Sequence, residues 1–199
     1  MIERIIQSSD TKPYTGIILC GGKSLRMGTE KGLVQLKGKS LISYSISLFE
    51  NLCSEVIISS NSNYYNNVGL KVVSDIYPDC GPIGGLYSGL KAATNNFCMV
   101  APCDTPFLTA QLYRHLLSYC DDAFAIIPSF KGNLQPVCGI YATKGIPIIE
   151  KCIQQKVFKM HTLVQELNAV IVSVDIFFNE NNCFENINTS EQLLEYNRK

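Results

Sequence analysis

Eleven residues hold the densest chemical signal in this sequence: Gly21-Gly22-Lys23-Ser24-Leu25-Arg26-Met27-Gly28-Thr29-Glu30-Lys31. Three glycines, one arginine and two lysines follow directly on the apolar run Tyr14 to Cys20. Glycines at a strand tip let successive backbone N–H groups converge on a phosphate oxygen without interference from a Cβ. Arg26 and Lys31 would add the positive charge that a polyphosphate needs. The loop is neither a Walker A sequence nor a G-x-G-x-x-G fingerprint, and the second pattern is absent from the chain. Its composition also fits a flexible surface loop. Its length exceeds the roughly 2–6 residues of an ordinary strand-to-helix connection, which favours a functional role.

A second signal is Pro102-Cys103-Asp104-Thr105-Pro106, an acid set between two prolines just after the apolar run Phe97 to Ala101. A carboxylate fixed there could hold Mg²⁺, which takes one or two protein carboxylates when phosphates and water supply its other ligands. The same residue could equally cap a helix or form a turn. Asn61 and Asp75 follow two further apolar runs, at places where a base or ribose could lie, although singly each is a common turn residue. Gly81-Pro82-Ile83-Gly84-Gly85 allows close backbone approach, as a tight turn or as a cleft wall. Other chemistries find little support. There are two histidines, His115 and His161, and His115 falls within a helical pattern. Gly85-Leu-Tyr-Ser88-Gly89 lacks the spacing of a serine-nucleophile elbow.

The elements that must carry these loops alternate. Short apolar, β-branched runs predict strands at Tyr14–Cys20, Val56–Ile58, Leu70–Val73, Phe97–Ala101, Ala123–Ile127, Pro136–Tyr141 and Val170–Val174. Helical spacing begins at Leu41, follows Gly81-Pro82, and recurs over Thr109 to about Tyr119 and Gly145 to Cys152. Thr189-x-x-Gln192 forms a capping box ahead of Leu193 and Leu194. Strands alternating with helices imply βαβ units and a three-layer αβα sandwich around a mostly parallel sheet. In such sheets ligands gather beyond the carboxyl ends of the strands, where all of these loops fall. Residues 1–12 are polar and read as a frayed lead-in; residues 13–199 read as one domain.

Composition narrows the field. With 46% hydrophobic and 17% charged residues, the chain can form a packed core. Its 17 basic and 17 acidic side chains cancel, which argues against nucleic acid as a partner. The nine cysteines are an odd number, scattered and without a C-x-x-C pair, so zinc and redox motifs are not indicated and a reducing compartment is. Neither a signal-peptide core nor an apolar stretch of about 18 residues is present, so the expectation is a soluble, cytoplasmic protein without membrane contact.

The motifs, taken together, also resemble a known family. Leu19-Cys20-Gly21-Gly22-x-Ser24-x-Arg26-Met27-Gly28-x-x-Lys31-x-Leu33, followed by Leu36-x-Gly38-Lys39-x-Leu41, resembles the signature of nucleotidyltransferases with the Rossmann-like nucleotide-diphospho-sugar transferase fold. Gly81-Pro82-Ile83-Gly84-Gly85-Leu86, Pro102-Cys103-Asp104-Thr105-Pro106, Gln135-Pro136 and Phe184-Glu185-Asn186-Ile187-Asn188-Thr189 are similar to the molybdenum cofactor guanylyltransferases within that group. The resemblance implies transfer of GMP from GTP to molybdopterin carrying molybdenum, with Mg²⁺ as cofactor and release of pyrophosphate. It implies nucleotide binding by Leu19, Cys20, Gly21, Lys31, Asn61, Asp75 and Asp104, with Asp104 on the metal. Gly22 would join Gly21 in holding the triphosphate, and Arg26, Lys31 and Asp104 would carry catalysis. It also leaves room for a handover protein, either a molybdenum-insertion protein or an acceptor enzyme. Cys20 stands where the family usually has Ala, Ser190 where Pro is common, and Glu30 where Asp often precedes the lysine, a change of little consequence if that position only faces solvent. Rival readings are a molybdopterin cytidylyltransferase, a sugar-phosphate nucleotidyltransferase, and a non-catalytic GTP-binding cofactor-escort module. A Rossmann dinucleotide binder is disfavoured by the missing fingerprint.

Overall fold

The computed structural model describes residues 13–21, 30–177 and 183–198; the expected lead-in lies outside them. In chain order the regular elements are β1 (Tyr14–Leu19), the two short strands β2 (Gln35–Leu36) and β3 (Lys39–Ser40), α1 (Leu41–Glu50), β4 (Glu55–Ser59), β5 (Lys71–Val73), α2 (Pro82–Ala92), β6 (Phe97–Pro102), α3 (Ala110–Leu117), β7 (Ala125–Phe130), β8 (Asn133–Leu134), β9 (Ile140–Ala142), α4 (Ile146–Gln154), α5 (Met160–Glu166), β10 (Val170–Ser173) and α6 (Ser190–Arg198).

The main sheet runs β10-β7-β9-β6-β1-β4-β5, with β8 paired to β7. Strands β6, β1, β4 and β5 lie parallel, as do β7 and β10, while β9 and β8 run antiparallel to their neighbours. Parallel strands are covered on both faces, which is why β1 is a continuous apolar run instead of an alternating one. Ile18 and Cys20 turn toward one buried cluster with Phe49 of α1 and Leu112, Tyr113 and Leu116 of α3. Ile17 and Leu19 turn toward the other, with Leu86 and Leu90 of α2, Ile149 of α4 and Leu163 of α5. Gly16 lets Phe49 lie on the strand: a Cβ there would stand 2.6 Å from the ring.

The chain leaves β1 for β4 and β5 on one side, then crosses back through α2 to β6 on the other side. The loops after β1 and β6 therefore part at their carboxyl ends, a crevice where open α/β sheets bind ligands.

The expected strand Pro136–Tyr141 is two things. Pro136–Cys138 is a 3₁₀ turn and only Ile140–Ala142 pairs in the sheet. Pro136 has no N–H to donate. Gly139 passes so close to Ile126 that a Cβ would sit 2.6 Å from its carbonyl oxygen. Helix α5 was legible but not foreseen, since Met160, Leu163, Val164 and Leu167 keep helical spacing. The capping box is present: Gln192 N donates to Thr189 Oγ1 and Thr189 N to Gln192 Oε1, both at 3.2 Å. Among the described residues no helix is long and apolar enough to cross a membrane.

At the edge opposite the crevice, Glu55 ties strands to turn. Its Oε2 accepts from Thr15 Oγ1 at 2.8 Å, Thr94 N at 3.0 Å and Thr94 Oγ1 at 2.9 Å. Burial pushes this carboxyl upward, but the three hydrogen bonds and nearby Lys71 outweigh it and hold the pKa below the ordinary value. A lowered acid stabilises the fold above its unfolded-state pKa and loses that contribution as the pH falls through the folded value. Glu55→Gln should cost about 1–2 kcal/mol at pH 7. Urea denaturation should show the gap to wild type shrinking as the pH is taken below 4.

Candidate functional site

The residues converge where the strand tips part. Because Leu19 pairs with Pro102, the segments after β1 and β6 leave the sheet side by side, and Cys103 N donates to Leu19 O at 3.1 Å. On the other flank Cys20 N donates to Ser59 O at 2.8 Å and Ser60 N to Val73 O at 2.9 Å. Three loops are thus pinned in one row. They border a cleft of about 1030 Å³ lined by Leu19, Cys20, Gly21, Asn61, Asp75 and Asp104, together with Glu30, Ser59, Ser60, Ser62, Asp79, Gly81, Pro82, Gly85, Pro102, Val137 and Asn186.

Lys31 is brought to the same place. It opens a 3₁₀ turn, Lys31–Leu33, and its ammonium donates to Asp104 Oδ2 and to Asn188 Oδ1. Both members of the ion pair are mostly enclosed, at 16% and 14% side-chain exposure, where a charge interaction is less screened than at a free surface. An ammonium carries three donors, and two of them are taken by these partners among the described residues. Gly22 and Arg26 lie outside the described residues.

Asn188 arrives from the far end of the chain. Residues 183–189 cross the tip of β6, where Ile187 N donates to Asp104 O at 3.0 Å and Thr105 Oγ1 to Asn186 Oδ1 at 2.5 Å. The turn is held behind by α6: Asn188 N donates to Gln192 Oε1 at 2.7 Å. The β2–β3 hairpin and α6 then close over Leu36, Leu41 and Ile187, with Phe107 packed on Tyr196 at 4.7 Å between ring centroids. Asn186 and Asn188 belonged to the C-terminal motif, but nothing in local spacing told which way their carboxamides would face.

At the opposite end of the cleft Asn61 and Asp75 interlock. Asn61 Nδ2 donates to Asp75 Oδ2 at 2.9 Å, and Asp75 N donates to Asn61 Oδ1 at 2.8 Å. Part of the hydrogen-bonding capacity of Asn61 is therefore spent on Asp75, while Asp75 Oδ1 lies over α2, 3.6 Å from where a Cβ at Gly85 would stand. Burial pushes the Asp75 pKa up, against the pull of the Asn61 hydrogen bond. Burial also pushes the Cys20 thiol well up, which suits a packing residue and not a nucleophile.

Glu30 has a defined place. It does not simply face solvent: it lines the cleft, and its Oε1 accepts from the Tyr65 hydroxyl at 2.9 Å. Sequence reasoning missed Tyr65, which is fully buried and lies among Asn/Tyr residues that read as a polar connector. Ser88 is structural, donating to Gly84 O at 2.9 Å and accepting from Ile76 N at 2.8 Å.

A doubly wound sheet with a glycine-led loop, a lysine and the carboxylate it pairs with meeting beyond its strand tips defines a class, the nucleotidyltransferases of α/β fold. The chain belongs to the family described as the MobA-like NTP transferase domain, which it matches over residues 16–170. A probable molybdenum cofactor guanylyltransferase of Halalkalibacterium halodurans is 33% identical over 190 residues, covering 91% of this chain and 96% of that protein. The crystal structure of molybdopterin-guanine dinucleotide biosynthesis protein A from Archaeoglobus fulgidus superimposes with a TM-score of 0.78 at 25% identity, over 92% of this chain and 97% of that one. The 2-C-methyl-D-erythritol 4-phosphate cytidylyltransferase of Thermus thermophilus shares the fold, with a TM-score of 0.67 at 13% identity over 92% of this chain and 96% of that one.

Asp75 supplies a test of the electrostatics. Its folded pKa lies above its unfolded one, so ionisation at neutral pH works against the fold, and proton uptake on acidification relieves that cost. Asp75→Asn should be at least as stable as wild type at pH 8, and urea midpoints should show wild type gaining on the variant as the pH drops through the acid range.

Proposed function

We propose that this enzyme transfers GMP from GTP to molybdopterin carrying molybdenum, releasing pyrophosphate. The observation that carries the reading is the meeting of Lys31, Asp104 and Asn188 at one end of a cleft whose other end holds Asp75. Such a cleft offers charge for phosphates at one end and hydrogen-bond acceptors for a base at the other. The names of the H. halodurans and A. fulgidus proteins support guanine over the other bases.

In this reading the backbone N–H groups at Gly21 and Gly22 hold the triphosphate, and the third donor of the Lys31 ammonium takes one of its oxygens. Arg26 neutralises the leaving pyrophosphate. Guanine presents N–H donors on its pairing edge. The carboxylate of Asp75, oriented by Asn61, and the carbonyl oxygen of Leu19 accept them. A site built on such hydrogen bonds can reject a mismatched base by as much as about 10⁴-fold.

The chemical step needs no protein nucleophile. An oxygen of the acceptor's terminal phosphate, largely dianionic at pH 7 because its second pKa is about 6, forms a bond to the α-phosphorus. The bond from that phosphorus to the bridging oxygen breaks, and the electron pair leaves with pyrophosphate. What this chain contributes is in-line positioning and neutralisation of charge, the main terms in transfers of this type.

Asp104 is the residue that would hold Mg²⁺. Its carboxylate is a hard oxygen donor, and the described residues contain no group of three or more His, Cys, Asp or Glu that could cage a metal. That donor set fits an ion completed by phosphate and water. When bound, Mg²⁺ neutralises phosphate charge and withdraws electron density from the reacting phosphorus. The protein partner for handover, a molybdenum-insertion protein or an acceptor enzyme, belongs to the same proposal.

Lys31→Ala and Asp104→Ala should each lower pyrophosphate release from GTP and loaded acceptor by about 10²–10³-fold or more, with unchanged circular dichroism. Either variant near wild-type activity removes its residue from the mechanism. A panel of the four nucleoside triphosphates should give Mg²⁺-dependent binding that is tightest for GTP. A preference for CTP would instead favour the cytidylyltransferase reading.

A further inference from the structure

Tyr65 is a whole tyrosine side chain with no exposed surface. Burying a hydroxyl is costly unless it is hydrogen-bonded; this one donates to a carboxylate at the cleft wall, and the Cys20 thiol also lies within its reach. Its ring and oxygen touch the residues on either side of Lys31. At position 30 the hydroxyl donates to Glu30 Oε1 at 2.9 Å. At position 32 the backbone lies against the phenol so closely that a Cβ on Gly32 would stand 2.5 Å from the tyrosine oxygen. Between these two contacts the chain makes its 3₁₀ turn, with Leu33 N donating to Glu30 O at 3.0 Å and Val34 N to Lys31 O at 3.2 Å. Lys31 thus leaves a backbone fixed on both sides, and its side chain reaches Asp104 and Asn188.

The other end of Tyr65 is anchored beside the base end of the cleft. It closes the 3₁₀ turn Asn63–Tyr65, which Ser62 caps by accepting from Tyr64 N at 3.3 Å. Ser62 N in turn donates to Ser60 Oγ at 3.1 Å, and Asn61 lies between these two serines.

We infer that Tyr65 is a positioning residue: through Glu30 and Gly32 it fixes Lys31 for phosphate binding and joins that lysine to the loop carrying Asn61. The inference rests on the reading of Lys31 as a phosphate ligand. Tyr65 itself touches no substrate in this scheme. A charge-assisted hydrogen bond from a rigid phenol is stronger and more directional than a neutral one. Its length suits Glu30, one methylene longer than aspartate.

Titration calorimetry with GTP and Mg²⁺, and in parallel with guanosine, separates this role from simple packing. Tyr65→Phe, which keeps the ring, and Glu30→Ala should each weaken GTP binding roughly tenfold, while guanosine, which lacks phosphates, binds as before. Glu30→Gln, which can still accept from the phenol, should recover most of the loss seen in Glu30→Ala. In a Lys31→Ala background Tyr65→Phe should bring no further loss, because residues acting through one group are not additive. If Tyr65→Phe fails to fold, Glu30→Ala and Glu30→Gln carry the same comparison. Wild-type GTP affinity in Tyr65→Phe, an equal loss on the Lys31→Ala background, or a Glu30→Gln as weak as Glu30→Ala would each overturn the inference. If Lys31→Ala itself binds GTP as wild type does, the phosphate role of Lys31 fails, and the positioning role falls with it.

Discussion

The constraint on which the site depends is the parallel pairing of β1 with β6. Their register sets Leu19 against Pro102, so the loop beginning at Gly21 and the loop containing Asp104 leave the sheet as neighbours. Neither loop could form the Lys31–Asp104 ion pair alone, since 73 residues of chain separate the two side chains. The pair is enclosed enough for each charge to need the other, and removing one partner of an enclosed pair leaves the second uncompensated. The ion pair therefore does two things at once. It holds the cation against a carboxylate that lines the cleft, and the same lysine anchors the C-terminal segment through Asn188.

That segment gives the cleft a second wall made from distant sequence. Thr189 and Gln192 cap α6 reciprocally, and the same glutamine takes Asn188 N. Ile187 N and Asn186 are fixed on the Asp104–Thr105 turn. A helix cap, an element of purely local stability, in this way helps hold Asn188 on Lys31 beside the Asn186 that lines the cleft. At the Asp75 end of the cleft the arrangement differs. Asp75 is placed by one neighbour, Asn61, in a setting whose burial opposes its charge. The ligand that suits such a carboxylate is one that brings N–H donors to it.

Much of this was readable from local pattern. The runs at Tyr14, Val56 and Phe97 are strands because parallel strands buried on both faces must be continuously apolar, and the loops after them carried Asp104, Asn61 and the glycines. Residues 136–141 misled because an apolar run does not reveal that Pro136 forces a turn, nor that the strand beyond Gly139 runs antiparallel. Helix α5 was present in the spacing of Met160, Leu163, Val164 and Leu167. Glu30 and Tyr65 were illegible for a different reason. Their contact spans 35 residues, and a tyrosine among asparagines has the local appearance of a surface connector. The pairing of Lys31 with Asp104 could be expected only through the family resemblance, because long-range side-chain contacts leave no mark in periodicity.

A crystal structure with a non-hydrolysable GTP analogue and Mg²⁺ tests the central claim most directly. The account predicts guanine against Asp75 and Leu19, phosphate oxygens on Lys31 and the amide of Gly21, and the ion on Asp104. An analogue bound with its phosphates away from Lys31, or an ion held without Asp104, would contradict it.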